Sequence, residues 1–296
     1  KVRGDLKSKK GIVNPNSISK LFNLNFDFID QDELLLETNN NFSFNIDAKR
    51  QVKDLNYKSN LIFDKIFINK KYQDLIFLSD GTIEAKYSNK NLDIKIDSDY
   101  SFLNDDYNSQ DDKKNIIINV KKNNKDNLRV KSSLTNEKTK INSKELTKYF
   151  QIDKKFFKDQ EIIFGSDNKI TFNIDEKAKV KNLKIKSNIN FENLKIDYIS
   201  SKLKKRIPNY KNHIFLNRNY LELDYEKNKT QIKAKGKYSF NDEFDGYEIN
   251  IINEKDKYDF ESSIDLNNSI IVVKEIDYNK NKDSYAKIIL KGNYIK

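Results

Sequence analysis

The chain of 296 residues has no cysteine, methionine or tryptophan, and it has one histidine, two prolines and seven glycines. The lack of cysteine excludes disulfides and thiolate metal sites. With His213 as the only histidine, histidine-based catalytic triads and Cys/His metal sites have nothing to build on. The scattered glycines form neither a phosphate-binding loop nor a dinucleotide fingerprint. The sequence therefore predicts a protein that is not an enzyme and has no cofactor.

Long apolar runs are also missing. None exceeds four residues, the length of the run from Ile270 to Val273, whereas a membrane-spanning helix needs about 20 apolar residues. Because the chain has no methionine and begins at Lys1, we expect it to be an internal piece of a longer protein or a processed product. A signal peptide or membrane anchor would then lie outside it.

The net charge of +11 does not by itself indicate a nucleic-acid partner. The 56 basic residues are interleaved with 45 acidic residues along every segment, which is typical of a solvated surface. We therefore expect no nucleic acid among the partners.

The sequence contains an internal repeat. Residues 14–66 return without a gap as residues 142–194, and residues 76–102 return as residues 214–240. The second copy is longer between these two blocks, where it has an insertion at about 200–212. Repetition of this length indicates a modular, extended architecture. We predict one repeat over residues 1–137 and a second over residues 138–296.

Each repeat opens with a short helix signal, at 16–22 and at 142–150, where Ser17 or Ser143 is a candidate cap. Apolar and polar residues alternate almost everywhere else, as in Leu92, Ile94 and Ile96, which predicts antiparallel strands with one apolar and one polar face. We expect roughly twelve strands in all. Turns are predicted where Asn, Asp and Gly cluster, at 80–81, 88–91, 122–127, 245–246 and 279–283.

About ten helical residues per repeat cannot cover the apolar face of such a sheet. The sheet must therefore fold onto itself as a sandwich, pack on a partner, or hold lipid on its apolar face. A sandwich is the common solution for all-β sequences. The recurrence of the strands behind a helix favours instead a curled antiparallel sheet that continues along one axis. The two readings of the apolar positions, sealed core and lipid track, stay open from the residues alone.

The pattern resembles the AsmA-like envelope proteins of Gram-negative bacteria, which belong to the repeating β-groove lipid-transfer superfamily. The residues that carry the resemblance are the segment Lys20 to Phe22, the strand pairs Phe42 to Phe63 and Phe172 to Phe191, and the strands Ile83 to Tyr87 and Leu221 to Tyr225. The resemblance implies a periplasmic protein, anchored to the inner membrane by a segment outside this chain. Its groove would carry phospholipid acyl chains towards the outer membrane.

On this interpretation, alternate apolar side chains face the acyl chains. They are Phe42, Phe44, Ile46, Leu55, Tyr57, Phe63, Ile83, Tyr87, Ile94, Ile170, Phe172, Ile174, Leu183, Ile185, Phe191, Leu221, Leu223, Tyr225 and Ile232. The insertion is basic, with Ile199, Leu203 and Ile207 at helical spacing. It predicts a short interfacial helix in which Lys202, Lys204, Lys205 and Arg206 contact anionic headgroups, or else a solvated loop.

Two acidic clusters, at 105–112 and at 242–245, do not have the spacing of a calcium-binding loop, and we interpret them as exposed turns. No pair of carboxylates stands out for glycoside hydrolysis. The alternative function is that of a structural or adhesive surface protein built from tandem β-sandwiches. An outer-membrane barrel is a further alternative, against which the helix signals and the lack of aromatic girdles argue.

Overall fold

The structure is a computed structural model, and it describes residues 1–17, 31–67, 76–102, 114–122, 127–143, 160–175 and 179–295. These residues form strands of 9 to 18 residues, with two short strands of 3 residues near the C-terminus. The strands are β1 (Val2–Val13), β2 (Leu34–Ile46), β3 (Val52–Phe67), β4 (Ile76–Ser88), β5 (Asn91–Phe102), β6 (Lys114–Lys122), β7 (Leu128–Asn142), β8 (Glu161–Ile174), β9 (Val180–Asp197), β10 (His213–Glu226), β11 (Lys229–Ser239), β12 (Phe244–Glu254), β13 (Lys257–Asp265), β14 (Ile271–Val273), β15 (Tyr278–Lys280) and β16 (Lys287–Ile295).

Helical structure is scarce in the same residues. Helix α1 (Ser201–Arg206) lies in the insertion, and a 3-10 turn covers Lys274–Ile276. Residues 15–17 and residue 143 are helical, at the start of the two predicted helix signals. The rest of both signals, including Lys20 to Phe22, lies outside the described residues.

Fourteen strands form one antiparallel sheet, as the alternating sequence predicts. Its order follows the chain from β1 to β13 and ends with β16, while β14 and β15 form a separate two-stranded ribbon. The sheet is open, because β1 and β16 are its edges and do not pair with each other in the described part of the chain. The all-β class is thus confirmed, and the sheet has two strands more than expected.

The contacts divide the chain into two compact units. Unit 1 contains Lys1–Asn136 and Lys169–Leu183, and unit 2 contains Glu137–Asn168 and Lys184–Lys296. In unit 1, a small core packs at one end of the strands, with Val13, Ile83 and Ile116 around it. Its members are Leu34, Leu36, Phe63, Ile66, Leu78 and Tyr100.

The predicted turns at 80–81 and 245–246 are wrong, because both dipeptides lie inside strands, in β4 and β12. Asp80 has a φ of 48° where the pairing of β4 with β5 shifts between Ser79 and Thr82, which marks a β-bulge. The turn at 88–91 is confirmed, with Asn89 and Lys90 at positive φ between β4 and β5. Residues 123–126 of the predicted turn at 122–127 lie outside the described residues.

Several local contacts recur at equivalent positions of the sequence repeat. Ser59 donates a hydrogen bond to the amide oxygen of Asn40, and Ser187 does the same to Asn168 in the second copy. The carboxylate of Asp47 accepts the N–H of Gln51 at 2.9 Å, and that of Asp175 accepts the N–H of Lys179 at 2.9 Å. Equivalent positions of the matching sequence segments therefore form the same side-chain contacts.

Two irregularities of the backbone recur in the same way. The shift in pairing between Ser79 and Thr82 has its counterpart in the second copy between Asn217 and Tyr220, where Arg218 has a φ of 50°. Asp54 and Asn182, which are equivalent in the repeat, have φ values of 52° and 53°. Positive φ is uncommon for residues other than glycine, so these recurrences are specific.

Candidate functional site

One face of the sheet in unit 1 is mostly apolar. We call this the apolar face of unit 1. Residues directly opposite each other on paired strands point to the same side of a sheet, so their side chains form rows across it. Three successive rows run across its strands. They contain Gly4, Phe42, Tyr57, Tyr87, Leu92 and Lys122; then Leu6, Asn40, Ser59, Ala85, Ile94, Val120 and Val130; then Ser8, Thr38, Leu61, Ile83, Ile96, Ile118 and Ser132.

The opposite face is polar. One row on it contains Asp5, Asn41, Lys58, Lys86, Asp93, Lys121 and Arg129. Lys121 forms an ion pair of 3.0 Å with Asp93, and Lys95 forms one of 3.1 Å with Asp97. The amide of Asn115 donates a hydrogen bond to Asp97, and together with Lys95 it lowers the pKa of that carboxyl below its usual value. Exposed ion pairs of this kind add little stability. Their charged side chains keep this face hydrated.

Unit 2 has the same arrangement over strands β9 to β13 and β16. Its apolar face has three rows as well. They contain Ile185, Tyr225, Thr230, Asn253, Tyr258 and Tyr294; then Ser187, Leu223, Ile232, Ile251, Phe260 and Gly292; then Ile189, Leu221, Ala234, Ile249, Ser262 and Leu290. A row on the other face alternates in charge and contains Lys184, Glu226, Lys229, Glu254 and Lys257.

Ten of the predicted acyl-contacting residues belong to these rows and are half-buried. They are Phe42, Tyr57, Ile83, Tyr87, Ile94, Ile185, Leu221, Leu223, Tyr225 and Ile232. Side chains in the middle of a sealed core are typically more than nine-tenths buried. The partial exposure of ten apolar side chains therefore leaves the two faces accessible.

The other predicted residues have different positions. Phe44, Phe191 and Leu183 are half-buried in β2 and β9, and the residues of β8 are half-buried too, namely Ile170, Phe172 and Ile174. Ile46 and Leu55 are more exposed, at 54% and 39%; Leu55 lies within the shift in pairing between β2 and β3, and Ile46 lies just beyond it. Phe63 is only 1% exposed, within the core of unit 1. The sequence does not separate Phe63 from its neighbours, because only the covering residues distinguish core from open face.

Sequence reasoning missed part of both faces. Ile116, Ile117 and Ile118 are consecutive, so alternation does not decide which of them share a face with Ile94. The pairing of β5 with β6 decides it, since Ile118 lies opposite Ile96 and Val120 lies opposite Ile94. The run from Ile249 to Ile252 is ambiguous for the same reason.

Three phenylalanine rings on these faces cover glycines of the adjacent strand. Phe42 lies opposite Gly4, Phe63 opposite Gly81, and Phe260 opposite Gly292. In each case a Cβ added to the glycine would overlap the outer edge of the ring. The ring therefore occupies the space that the missing side chain leaves, an arrangement that compensates for glycine in strands.

A polar cluster interrupts the apolar face of unit 1. The amide oxygen of Asn40 accepts hydrogen bonds from Ser59 at 2.6 Å and from the hydroxyl of Tyr57 at 2.8 Å. Its amide nitrogen donates to the carbonyl of Leu6 at 3.3 Å and to Thr38 Oγ1 at 3.2 Å. Because Asn40 and Ser59 are buried, these bonds remove most of the cost of desolvating them.

The insertion and the segment 266–286 together form a structure at one end of the strands of unit 2, which we call the end cap. The predicted helix is confirmed as α1, whose first turn is capped by Ser200. The predicted headgroup residues Lys202, Lys204, Lys205 and Arg206 are exposed, and Arg206 pairs with Glu275.

Aromatic side chains join the end cap to the apolar face of unit 2. Tyr238 continues the line of Ala234 and Gly236 on β11 and is 5% exposed, and its hydroxyl donates to the carbonyl of Asp265. Its ring packs on Phe240 at 4.9 Å between centroids, and Phe240 in turn contacts Tyr210 at 5.6 Å. Burial, more than the nearby carboxylates, raises the pKa of Tyr238. This end of the face is therefore closed.

The acidic cluster at 242–245 is only partly an exposed turn. Asp242 is exposed and pairs with Lys211, whose hydrogen bond lowers the pKa of the carboxyl. Asp245 is buried, so the prediction of an exposed turn is wrong for this residue. Its carboxylate accepts the backbone N–H of Asn268 at 3.1 Å. Burial raises the pKa of Asp245 despite these bonds. The cluster at 105–112 lies outside the described residues.

A cavity of about 330 Å³ in unit 2 is lined by Phe164, Gly165, Phe191, Tyr220 and neighbouring residues of β7 to β10. The described residues contain no group of three or more potential metal ligands. Among them, no helix has the length and apolar character needed to cross a membrane. Comparisons of the chain with protein-family models, curated proteins and solved structures found no match.

Proposed function

We propose that this chain is a segment of a bridge-like phospholipid-transfer protein of the bacterial envelope, in which apolar faces hold acyl chains between the inner and outer membranes. The observation that carries the proposal is the partial exposure of ten apolar side chains in the rows of both units. Apolar patches that exceed a few hundred Å² are uncommon on soluble proteins and mark sites of interaction.

The chemistry of the two faces supports lipid as the occupant. A phospholipid with two chains exposes some 30 methylenes to water, at about 0.8 kcal/mol each, so that leaving a bilayer costs more than about 20 kcal/mol. The row of Leu61, Ile83 and Ile96 offers acyl chains an aliphatic surface, whereas the row of Lys58, Lys86 and Asp93 remains hydrated. Lipid diffusing along such a surface needs no catalytic residue.

The recurring contacts support the finer proposal of two tandem repeats that form a continuous curled groove. The bonds from Ser59 to Asn40 and from Ser187 to Asn168 lie at equivalent places of the sequence repeat. A bulge increases local twist and bends a strand. Bulges at equivalent places would therefore impose the same bend in each repeat.

The test is native mass spectrometry with lipid extraction on the chain purified from a bacterial periplasm. We expect phospholipids to co-purify and to be released by organic solvent. Phe42→Asp places a charge on the apolar face and should reduce the bound lipid, because burying a carboxylate against acyl chains is costly. Asn41→Asp is the matched control, since it introduces the same charge on the polar face.

Phe172→Asp provides the same test in β8, where the aromatic side chain is half-buried. The proposal is overturned if the purified chain contains no lipid, or if both aspartate variants retain as much lipid as the Asn41→Asp control. If Phe172→Asp instead unfolds the protein, the face is a sealed core, and the alternative of a structural or adhesive sandwich protein replaces the proposal.

A further inference from the structure

The end cap of unit 2 is held by contacts between distant parts of the chain. The guanidinium of Arg206 in α1 donates two hydrogen bonds to the carboxylate of Glu275, in the 3-10 turn. The N–H of Leu266 donates to the carbonyl of Ala286 at 2.8 Å and closes the segment at its base. The end cap is thus a built structure and not two independent loops.

Buried residues fix the interior of the end cap. Lys280 is 5% exposed, and its ammonium donates hydrogen bonds to the carbonyls of Asn267, Ser269 and Asn281 at 2.9, 2.9 and 3.0 Å. Ile207 and Leu266 are buried as well. The side chains on the outside are therefore carried by a firmly attached scaffold.

Large apolar side chains nevertheless point into solvent from the end cap and from the residue that precedes its helix. Ile199 is 84% exposed, Ile276 is 73% exposed and Tyr285 is 80% exposed. Ile199 precedes Ser200, which caps α1, and Ile276 follows Glu275, which binds Arg206. Two exposed isoleucines thus adjoin the basic helix.

The charge of the insertion differs from that of the rest of the chain. Residues 198–212 contain five basic residues and no acidic residue. Arg206 and Lys211 pair with Glu275 and Asp242. In the described part of the chain, no carboxylate lies within ion-pair distance of Lys202, Lys204 or Lys205, although Lys205, after Arg206, helps to lower the pKa of Glu275.

We propose that the outer surface of the end cap, formed by α1, Ile199 and Ile276, binds the headgroup region of an anionic phospholipid bilayer. Each lysine near an anionic surface is attracted to it, and adjacent aliphatic side chains enter the headgroup boundary. The inference rests on the proposed function in that lipid is the partner. A nucleic acid would use the lysines but would gain little from two exposed isoleucines.

The test is sedimentation with vesicles of phosphatidylcholine mixed with phosphatidylglycerol, and with vesicles of phosphatidylcholine alone. We expect binding to the anionic vesicles that weakens with salt. The combined variant Lys202→Gln, Lys204→Gln and Lys205→Gln should lose about 100-fold in partitioning. The matched control replaces Lys7, Lys9 and Lys58, exposed lysines of β1 and β3, by glutamine, which removes the same charge from the sheet.

A second variant tests the apolar part of the surface. Ile199→Ser with Ile276→Ser should reduce vesicle binding at every salt concentration, because a neutral substitution removes the apolar contact and leaves the charge. The inference is overturned if the control triple variant loses as much binding as the α1 triple variant. It is also overturned if the serine variant binds like the wild type, or if duplex DNA is bound more tightly than anionic vesicles.

The two proposals fail in different ways. The extractable lipid depends on the apolar faces, so we expect the α1 triple variant to retain the wild-type amount of it. Vesicle binding that does not depend on the α1 lysines, with normal lipid content, overturns only the headgroup surface. A chain that contains no lipid but binds anionic vesicles through α1 overturns only the acyl-chain proposal.

Discussion

The hydroxyl of Ser59 donates a 2.6 Å hydrogen bond to the amide oxygen of Asn40, from strand β3 to strand β2 and within the apolar face of unit 1. A buried polar pair in this position has a partner only when the two strands are in this register. A slip by one residue would move both groups to other neighbours. The pair thus adds a constraint on the register to the one that the alternating apolar residues already impose.

Removing either member of the pair should have unequal effects. Ser59→Ala leaves Asn40 with the hydroxyl of Tyr57, so we expect a loss of about 1 kcal/mol in the free energy of unfolding. Asn40→Ala leaves two hydroxyl groups without their acceptor and should cost about 2–3 kcal/mol. Urea unfolding measures both, and Ser43→Ala, on the polar face, is the control. Equal losses for the two variants would contradict the prediction.

Replacing the glycine beneath a buried ring by alanine should lower the free energy of unfolding more than replacing the glycine beneath a partly exposed ring. Gly81→Ala drives a methyl group into Phe63, which the core holds in place, and we expect a cost of about 1–3 kcal/mol. Gly4→Ala meets Phe42, which is half-exposed and can move, so the cost should be below about 1 kcal/mol. Chemical denaturation compares the two. A larger loss at Gly4 would show that the ring of Phe42 is held as firmly as that of Phe63.

Alanine at the two phenylalanines should separate core from open face. Phe63→Ala empties a site that is 1% exposed and should cost about 3–5 kcal/mol of unfolding free energy. Phe42→Ala removes a half-exposed ring and should cost less than about half of that, while reducing the lipid bound. Thermal and urea unfolding of lipid-free protein give the values. Similar losses at both positions would mean that Phe42 is also part of a sealed core.

The alternation of apolar and polar residues is sufficient to predict most strands, because a strand with one wet face has a period of two. Leu92, Ile94 and Ile96 illustrate this in β5. Alternation fails where a strand contains a bulge. Asp80 and Gly81 have the composition of a turn, yet the chain continues through them because Gly81 makes room for Phe63. The contact between Gly81 and Phe63 on the neighbouring strand decides between turn and strand, and the residues around position 80 do not reveal that contact.

The candidate site is predictable to a similar degree. Neighbouring residues indicate which positions are apolar, but Phe63 and Phe42 look alike in the sequence and differ in what covers them. The end cap is the part that is least predictable from the sequence, because Arg206 and Glu275, which hold it together, are separated by 69 residues. The burial of Asp245 escapes prediction for the same reason, because its hydrogen-bond donor, Asn268, lies 23 residues away.

The buried carboxyl of Asp245 should make stability depend on pH. Its pKa is raised in the folded protein, so between the unfolded pKa of about 3.9 and the higher folded value the folded state binds more protons. The free energy of unfolding, relative to that of Asp245→Asn, should therefore be largest below that interval and fall as the pH rises through it. Other groups face this carboxyl, namely Asp265 and Lys280, and both are present in the variant.

Urea unfolding of the wild type and of Asp245→Asn at several pH values measures this difference. Comparison with the variant removes the contributions of other carboxyls. A difference that grows as the pH rises would reverse the sign and contradict the raised pKa.

Lys280 should stabilise the end cap locally. Lys280→Met keeps an unbranched side chain but leaves three carbonyls without their donor, at a cost of about 2–3 kcal/mol. Hydrogen exchange should accelerate over residues 266–286 and remain unchanged in β2 and β3. Lys282→Met, which removes an exposed ion pair with Glu243, is the control and should have little effect. Unchanged exchange in the Lys280 variant would contradict the role.

Two of the phenylalanine rings that lean over glycines, Phe42 and Phe260, also affect the surface relief of the two apolar faces. A ring that fills the gap above a glycine adds little height, whereas the same ring opposite a larger residue would stand up as a ridge. The rings of Phe42 and Phe260 thereby reduce the difference in height between a bulky residue and the glycine opposite it, Gly4 or Gly292. For the proposed acyl chains, a surface of low roughness would present low barriers to lateral movement and would not favour one fixed pose.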